Sequence, residues 1–206
     1  IAMATNLQAI GFLIILLLIA PGCINSQDMG AAKGEIVQET ELPEKLNLVA
    51  DTAGRDIDRG QQMDLLADAN GEKTLILWVA AGCSGCHAWT EMIADSMREG
   101  NISNDTRIIS IHRYPSFESR DQVIGVYASE NSSSQSLWPV LIPDEGQSAI
   151  DMDTGQNTDS SYSTAFDNPV TPSFTLIDGD GKTLWKSKVY RANQTLLTEA
   201  MDLLDL

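Results

Sequence analysis

The chain has 206 residues, of which 43% are hydrophobic and 20% charged, enough apolar material for one folded domain with additional segments. Its 13 Lys and Arg stand against 29 Asp and Glu, giving a formal net charge of −16. That balance argues against a nucleic-acid partner, because phosphate binding needs clustered Lys and Arg. The acids are scattered and read as a solvated surface.

Residues 10–20 read Ile-Gly-Phe-Leu-Ile-Ile-Leu-Leu-Leu-Ile-Ala, an uncharged run. A membrane span needs about 20 apolar residues, so this run suits the hydrophobic core of a signal peptide. Ala20-Pro21-Gly22-Cys23 follows and resembles a lipoprotein signal, in which the cysteine becomes the lipidated first residue of the mature chain. The resemblance implies a signal peptide or membrane anchor over 1–22 and lipidation at Cys23. The alternative is an uncleaved anchor with Cys23 as a small apolar residue. Either one places the remainder outside the cytoplasm, at the outer face of the cytoplasmic membrane. Residues 23–45 are polar and read as a flexible tether, leaving a domain over 46–206.

Within 46–66 the pattern is weak and fits an opening strand or two with a turn. The turn signal at 69–72 precedes a nearly unbroken apolar run over 74–80, which predicts a strand buried on both faces. From Cys86 to Arg98 the apolar residues fall at Trp89, Met92, Ile93 and Met97, a helical spacing ended by Gly100 and Asn101. A second buried strand is expected over 107–112 and a helix over 122–128. Residues 129–168 are rich in Ser, Asn, Asp and Gly and read as an exposed polar insertion, interrupted by a strand near 140–142. Strands over 173–177 and 183–186 flank the turn Asp178-Gly179-Asp180-Gly181-Lys182 as a hairpin. That turn lacks the later Glu of a calcium loop. An amphipathic helix closes the chain over 192–204, with Asn193 placed to cap it. The order predicts an α/β fold: a mixed central sheet flanked by helices.

Three cysteines are present, Cys23, Cys83 and Cys86. Lipidation of Cys23 would leave one close pair, whose loop is too short to be a useful structural staple. Cys83-Ser84-Gly85-Cys86 follows a buried strand and opens a helix. The positive end of the helix dipole and free backbone N–H groups favour a thiolate there. The spacing makes Cys83 the exposed nucleophile and Cys86, one turn further in, the resolving thiol. Ser84, Gly85 and His87 are supporting residues, His87 as a local positive charge when protonated.

The run from Thr74 to Cys86, together with Val170-Thr171-Pro172-Ser173 and the hairpin behind it, resembles the thioredoxin superfamily. Within it the chain is most similar to the extracytoplasmic TlpA/ResA-like thiol–disulfide oxidoreductases. The resemblance implies a thioredoxin-like domain and a cis Thr171-Pro172 bond facing the cysteines. Thr171 would offer backbone groups to a substrate chain, and Pro172 would keep metal from the thiols. It further implies protein dithiol or disulfide substrates, a membrane or soluble electron donor, a reductase role, and no cofactor or metal beyond the Cys83–Cys86 disulfide. The chain departs from the family at Gly82, where a Trp is usual, and at Ser84-Gly85, where a Pro is common. The places of the family's acidic residue fall at Leu77 and Trp89, with Glu91 and His87 the nearby candidates for proton acceptor.

Two further chemistries fit the same residues. Cys83-Ser84-Gly85-Cys86-His87 matches the attachment motif of c-type haem, with His87 on iron and Met152 or Met201 as second ligand. A copper carrier would use Cys83, Cys86 and His112. Asn101, Asn104, Asn131 and Asn193 each begin a glycosylation sequon.

Overall fold

The structure is a computed structural model that describes residues 41–205. The expected signal segment, Cys23 and most of the tether lie outside the described residues. Strands β1 (Leu46–Asn47), β2 (Val49–Asp51) and β3 (Gln62–Asp64) open the described chain. Then come β4 (Thr74–Val79), α1 (Ser84–Arg98), β5 (Ile108–His112), α2 (Arg120–Tyr127) and β6 (Val140–Leu141). Strands β7 (Ser148–Asp151) and β8 (Gln156–Ser161) lead into the one-turn α3 (Tyr162–Ala165). The chain ends with β9 (Ser173–Ile177), β10 (Thr183–Ser187) and α4 (Gln194–Asp205).

The central sheet has the order β10-β9-β4-β5-β6. β4, β5 and β6 are parallel; β9 and β10 join antiparallel as the expected hairpin. All six residues of β4 are buried, as a strand covered on both faces requires. Leu75, Leu77 and Val79 point to one face, with Trp89, Ile93, Met97, Val123, Tyr127 and Leu197 of the helices. Ile76 and Trp78 point to the other. The crossovers β4–α1–β5 and β5–α2–β6 progress in one direction across the sheet, so their shared right-handedness puts α1 and α2 on one side. Helices therefore cover the two faces unequally, since only the short α3 lies on the second.

The region 129–168 differs from the expected exposed excursion. It supplies Trp138, Val140, Leu141, Ala149, Tyr162, Ala165 and Phe166 to the two cores. β7 pairs with β1 and β8 with β7, so the hairpin is stitched to the start of the domain. The buried Asp58 carboxylate binds Arg55 and accepts the Val140 N–H at 3.0 Å, while Arg55 donates to the Ser136 and Trp138 carbonyls. The polar composition hid this because β8 exposes much of its length and the apolar residues cluster at its end.

At the hairpin turn, Asp178 Oδ1 accepts the N–H groups of Asp180 and Lys182. A β-carbon on Gly179 would collide with the Gly71 backbone, which passes directly over the turn. Asn193 Oδ1 accepts the Leu196 N–H at 2.9 Å, the cap expected for α4.

Candidate functional site

The loop leaving β4 ends at Cys83, the N-cap of α1. Cys83 is extended (φ −95°, ψ 98°), and its Sγ accepts the Cys86 N–H at 3.1 Å, a role that Ser or Asp oxygens take in ordinary caps. The Cys83 carbonyl accepts the His87 N–H at 3.1 Å, closing the first turn. Cys83 and Cys86 are joined as a disulfide with their Cα atoms 5.2 Å apart. Cys83 is half-buried, whereas Cys86 has 0% exposure, with its Sγ 4.0 Å from the Trp78 carbonyl. A second molecule can therefore approach Cys83 and not Cys86.

The strap after β10 crosses this turn. The Tyr190 hydroxyl lies 2.8 Å from Ser84 Oγ, and Trp89 Nε1 donates to the Val189 carbonyl at 2.8 Å. A β-carbon at position 85 would sit 2.7 Å from the Tyr190 carbonyl and 2.9 Å from its ring, so the strap's path requires Gly85. Trp89 also meets Phe174 edge to face, which ties α1 to β9.

Three side chains hold the loop ahead of Cys83. Tyr127 donates to the Ala80 carbonyl at 2.7 Å and His87 Nε2 to the Ala81 carbonyl at 2.8 Å. Glu118 accepts the Ala81 N–H at 2.6 Å and the Gly82 N–H at 2.7 Å, one on each oxygen. Behind it, His112 Nε2 lies 3.0 Å from Glu118 Oε2. Burial raises the Tyr127 phenol well above its ordinary range, and the Glu118 charge adds to this. Burial lowers His112 below the usual histidine value, against the opposing pull of Glu118. Burial pushes the Glu118 carboxyl up, but the N–H groups of Gly82 and Ala81 and the His112 bond outweigh it, and the net direction is down. Both directions agree on an ionised Glu118 accepting from a neutral His112.

Thr171-Pro172 is a cis peptide bond. Ser173 pairs with Trp78, and continuing that register brings Thr171-Pro172 alongside the end of β4, where the chain turns toward Cys83. Of the residues singled out from sequence, Ser84, Gly85 and His87 thus surround the cysteine turn, and Thr171-Pro172 directly precedes the neighbouring strand β9. Glu91 is held by Ser133 and Ser134 at 3.0 and 2.9 Å. His112, a ligand in the copper reading, is committed at Nε2 to Glu118, and His87, the iron ligand of the haem reading, to Ala81. Among the described residues no group of three or more His, Cys, Asp or Glu is placed to hold a metal ion.

Glu118, Tyr127 and Tyr190 had no signal in the sequence. Each reaches the site across at least 36 residues, and none falls in a motif.

No family model matches the chain, and no curated protein does. Solved structures do. The thioredoxin domain of a thiol-disulfide oxidoreductase from Bacteroides vulgatus aligns over 80% of this chain and 99% of its own, with 15% identity and a TM-score of 0.51. A thiol-disulfide oxidoreductase from Bacteroides fragilis aligns over 78% and 98%, with 11% identity and a TM-score of 0.50. A hypothetical protein from Sinorhizobium meliloti aligns over 80% and 84%, with 16% identity and a TM-score of 0.51. The chain has the thioredoxin fold. In thioredoxin-fold terms, β4 runs into the cysteine turn, α1 carries it, and β9 and β10 form the C-terminal hairpin, with the cis Thr171-Pro172 bond directly before β9.

Proposed function

We propose that the protein is a thiol–disulfide oxidoreductase acting on protein substrates through Cys83 and Cys86, in the reducing direction. The observation that carries this is the asymmetry of the pair: the Cys83 sulfur caps α1 and is reachable, and Cys86 is sealed one turn behind it within disulfide range. In the dithiol form the Cys83 thiolate attacks a substrate disulfide. A Cys83–substrate S–S bond forms, the substrate S–S bond breaks, and the released thiolate takes a proton from water. The Cys86 thiolate, its proton given to water, then attacks Cys83 Sγ. The mixed disulfide breaks, Cys83–Cys86 forms, and the second substrate thiolate leaves to be protonated. Two electrons have passed to the substrate, and a membrane or soluble dithiol donor must return them. Thr171 would pair its backbone with the substrate chain, and Pro172 would shield the thiols from metal. The reducing direction rests on the resemblance to TlpA/ResA-like proteins. The lipoprotein-like 1–23 segment supports a location outside the cytoplasm with a tether at Cys23.

The test is thiol trapping of the full chain in glutathione buffers, beside the Cys83→Ser and Cys86→Ser variants. A reversible two-electron couple that Cys83→Ser abolishes is expected, and Cys86→Ser should accumulate a mixed disulfide. The midpoint decides between reductase and oxidase. Absence of a reversible couple, together with a covalent Soret band after expression beside a haem-attachment system, overturns the reading.

A further inference from the structure

The Glu118 carboxylate lies outside every motif in the chain, yet it receives the two consecutive backbone N–H groups immediately before Cys83. We propose that Glu118 is a positioning residue for Cys83: it fixes the two peptide units leading into the reactive turn and holds a negative charge beside them, which makes the thiolate harder to form and the dithiol a stronger reductant. The proposal deepens the thiol–disulfide reading and rests on it.

The geometry carries the argument. Glu118 belongs to the β5–α2 connection, directly before the Ser119 cap of α2. Its two oxygens span Ala81 and Gly82 at 2.6 and 2.7 Å, the length range of strong charge-assisted bonds. Those N–H dipoles are thereby turned toward a carboxylate and withdrawn from the sulfur one residue on. His112 closes the arrangement at 3.0 Å and is itself 1% exposed. It is clamped on the other side by Tyr162, whose hydroxyl donates to its carbonyl at 2.6 Å. Position 82 fits the same arrangement. A β-carbon there would lie 3.3 Å from Glu118 Oε1, so the carboxylate and a side chain compete for one space.

Other titratable or charged groups facing this loop are already engaged. His87 on α1 donates to Ala81, and Tyr127 on α2 donates to Ala80. Arg113 reaches the Pro169 carbonyl, and Arg120 reaches the Thr52 carbonyl and Asp51. Among the described residues no Lys or Arg bonds the Glu118 carboxylate, whose partners there are the Ala81 and Gly82 N–H groups and the neutral His112.

Glu118→Gln keeps the shape, removes the charge and can accept only one of the two N–H groups. The readout is the pH dependence of Cys83 alkylation in the reduced full chain, which needs no substrate and so stands apart from the exchange activity. The expected result is a thiol pKa lowered by on the order of one unit. At a pH well above the wild-type thiol pKa, the equilibrium with glutathione should move toward the dithiol by about tenfold. Glu145→Gln removes an exposed carboxylate bonded to Ser116 and should leave the profile in place. Gly82→Ala, which presses on Oε1, should give a smaller shift in the direction of Glu118→Gln, and it serves alone where Glu118→Gln does not fold. An unmoved thiol pKa in the folded variants, with only a lower melting temperature, overturns the proposal, as does an equal shift from Glu145→Gln. A wild-type chain with no reversible couple but with these alkylation shifts would sink the exchange reading and leave the positioning role standing.

Discussion

The two faces of the central sheet are built from the same strands but by different means. On one, Leu75, Leu77, Val79, Phe174 and Leu176 pack under α1, α2 and α4, and these helices announce themselves by spacing and caps. On the other, Ile76, Trp78, Ile109, Ile111 and Ile177 are covered by Leu46, Leu48, Met63, Leu65, Tyr162 and Phe166, from short strands and one turn of helix. The first face carries the cysteines. The second holds no reactive thiol, but through Tyr162 it supports His112, and through His112 the Glu118 clamp. A segment that contributes no chemistry thus sets the floor on which the reactive loop is fixed.

The contribution of the second face is tested most directly at Phe166. Its side chain is 3% exposed and its ring meets Trp78 at 5.4 Å between centroids. Truncation to Ala should cost about 3–5 kcal/mol, as buried Phe→Ala changes do. Urea denaturation of the variant checks this. A loss under about 0.5 kcal/mol, the usual cost at an exposed site, would return residues 129–168 to the status of a surface excursion.

Residues 129–168 also take partners from far along the chain. The β4 run, the cysteine turn and the Asn193 cap are local: each is written in fewer than about ten consecutive residues, and each has a physical cause at that range; the cis Thr171-Pro172 step is legible only through the family resemblance. β7 is not local in this sense: its partner β1 lies about a hundred residues away in the chain, and β8, which pairs with β7, is polar along its whole length, so no alternation marks a buried face. Glu118 is the extreme case. A carboxylate in a connection reads as solvated surface, and only the fold brings it under the Ala81 and Gly82 N–H groups.

Between the faces, His112 offers a pH test. Burial lowers its folded-state pKa below the ordinary value of about 6.5. The unfolded chain therefore takes up a proton first as pH falls, and between the two values it holds more protons than the native state. Stability is complete above about pH 6.5 and declines as the pH drops below it. Glu118 acts in the same sense at lower pH: its folded pKa is depressed, so its contribution is present above the ordinary carboxylate value and is lost as the pH falls through the depressed one. Urea midpoints at about pH 8, 6 and 5 should fall in that order, with the first decrease flattened in His112→Gln. A midpoint that rises on acidification from 8 to 6 contradicts the buried neutral imidazole.

On the helical face a smaller loss is expected at the start of α4. Asn193 Oδ1 accepts the Leu196 N–H at 2.9 Å, and its carbonyl accepts the Leu197 N–H at 3.3 Å. Replacing a capping Asn by Ala costs about 1 kcal/mol, so Asn193→Ala should lower the urea midpoint modestly. The strap ahead of Asn193 is anchored independently, by Trp89 to Val189 and by Tyr190 to Ser84. Fraying the first turn of α4 should therefore leave the Cys83 alkylation profile where it was. A shift in that profile would mean that α4 and the strap move as one body, with the helix end steadying the cysteine turn through Tyr190.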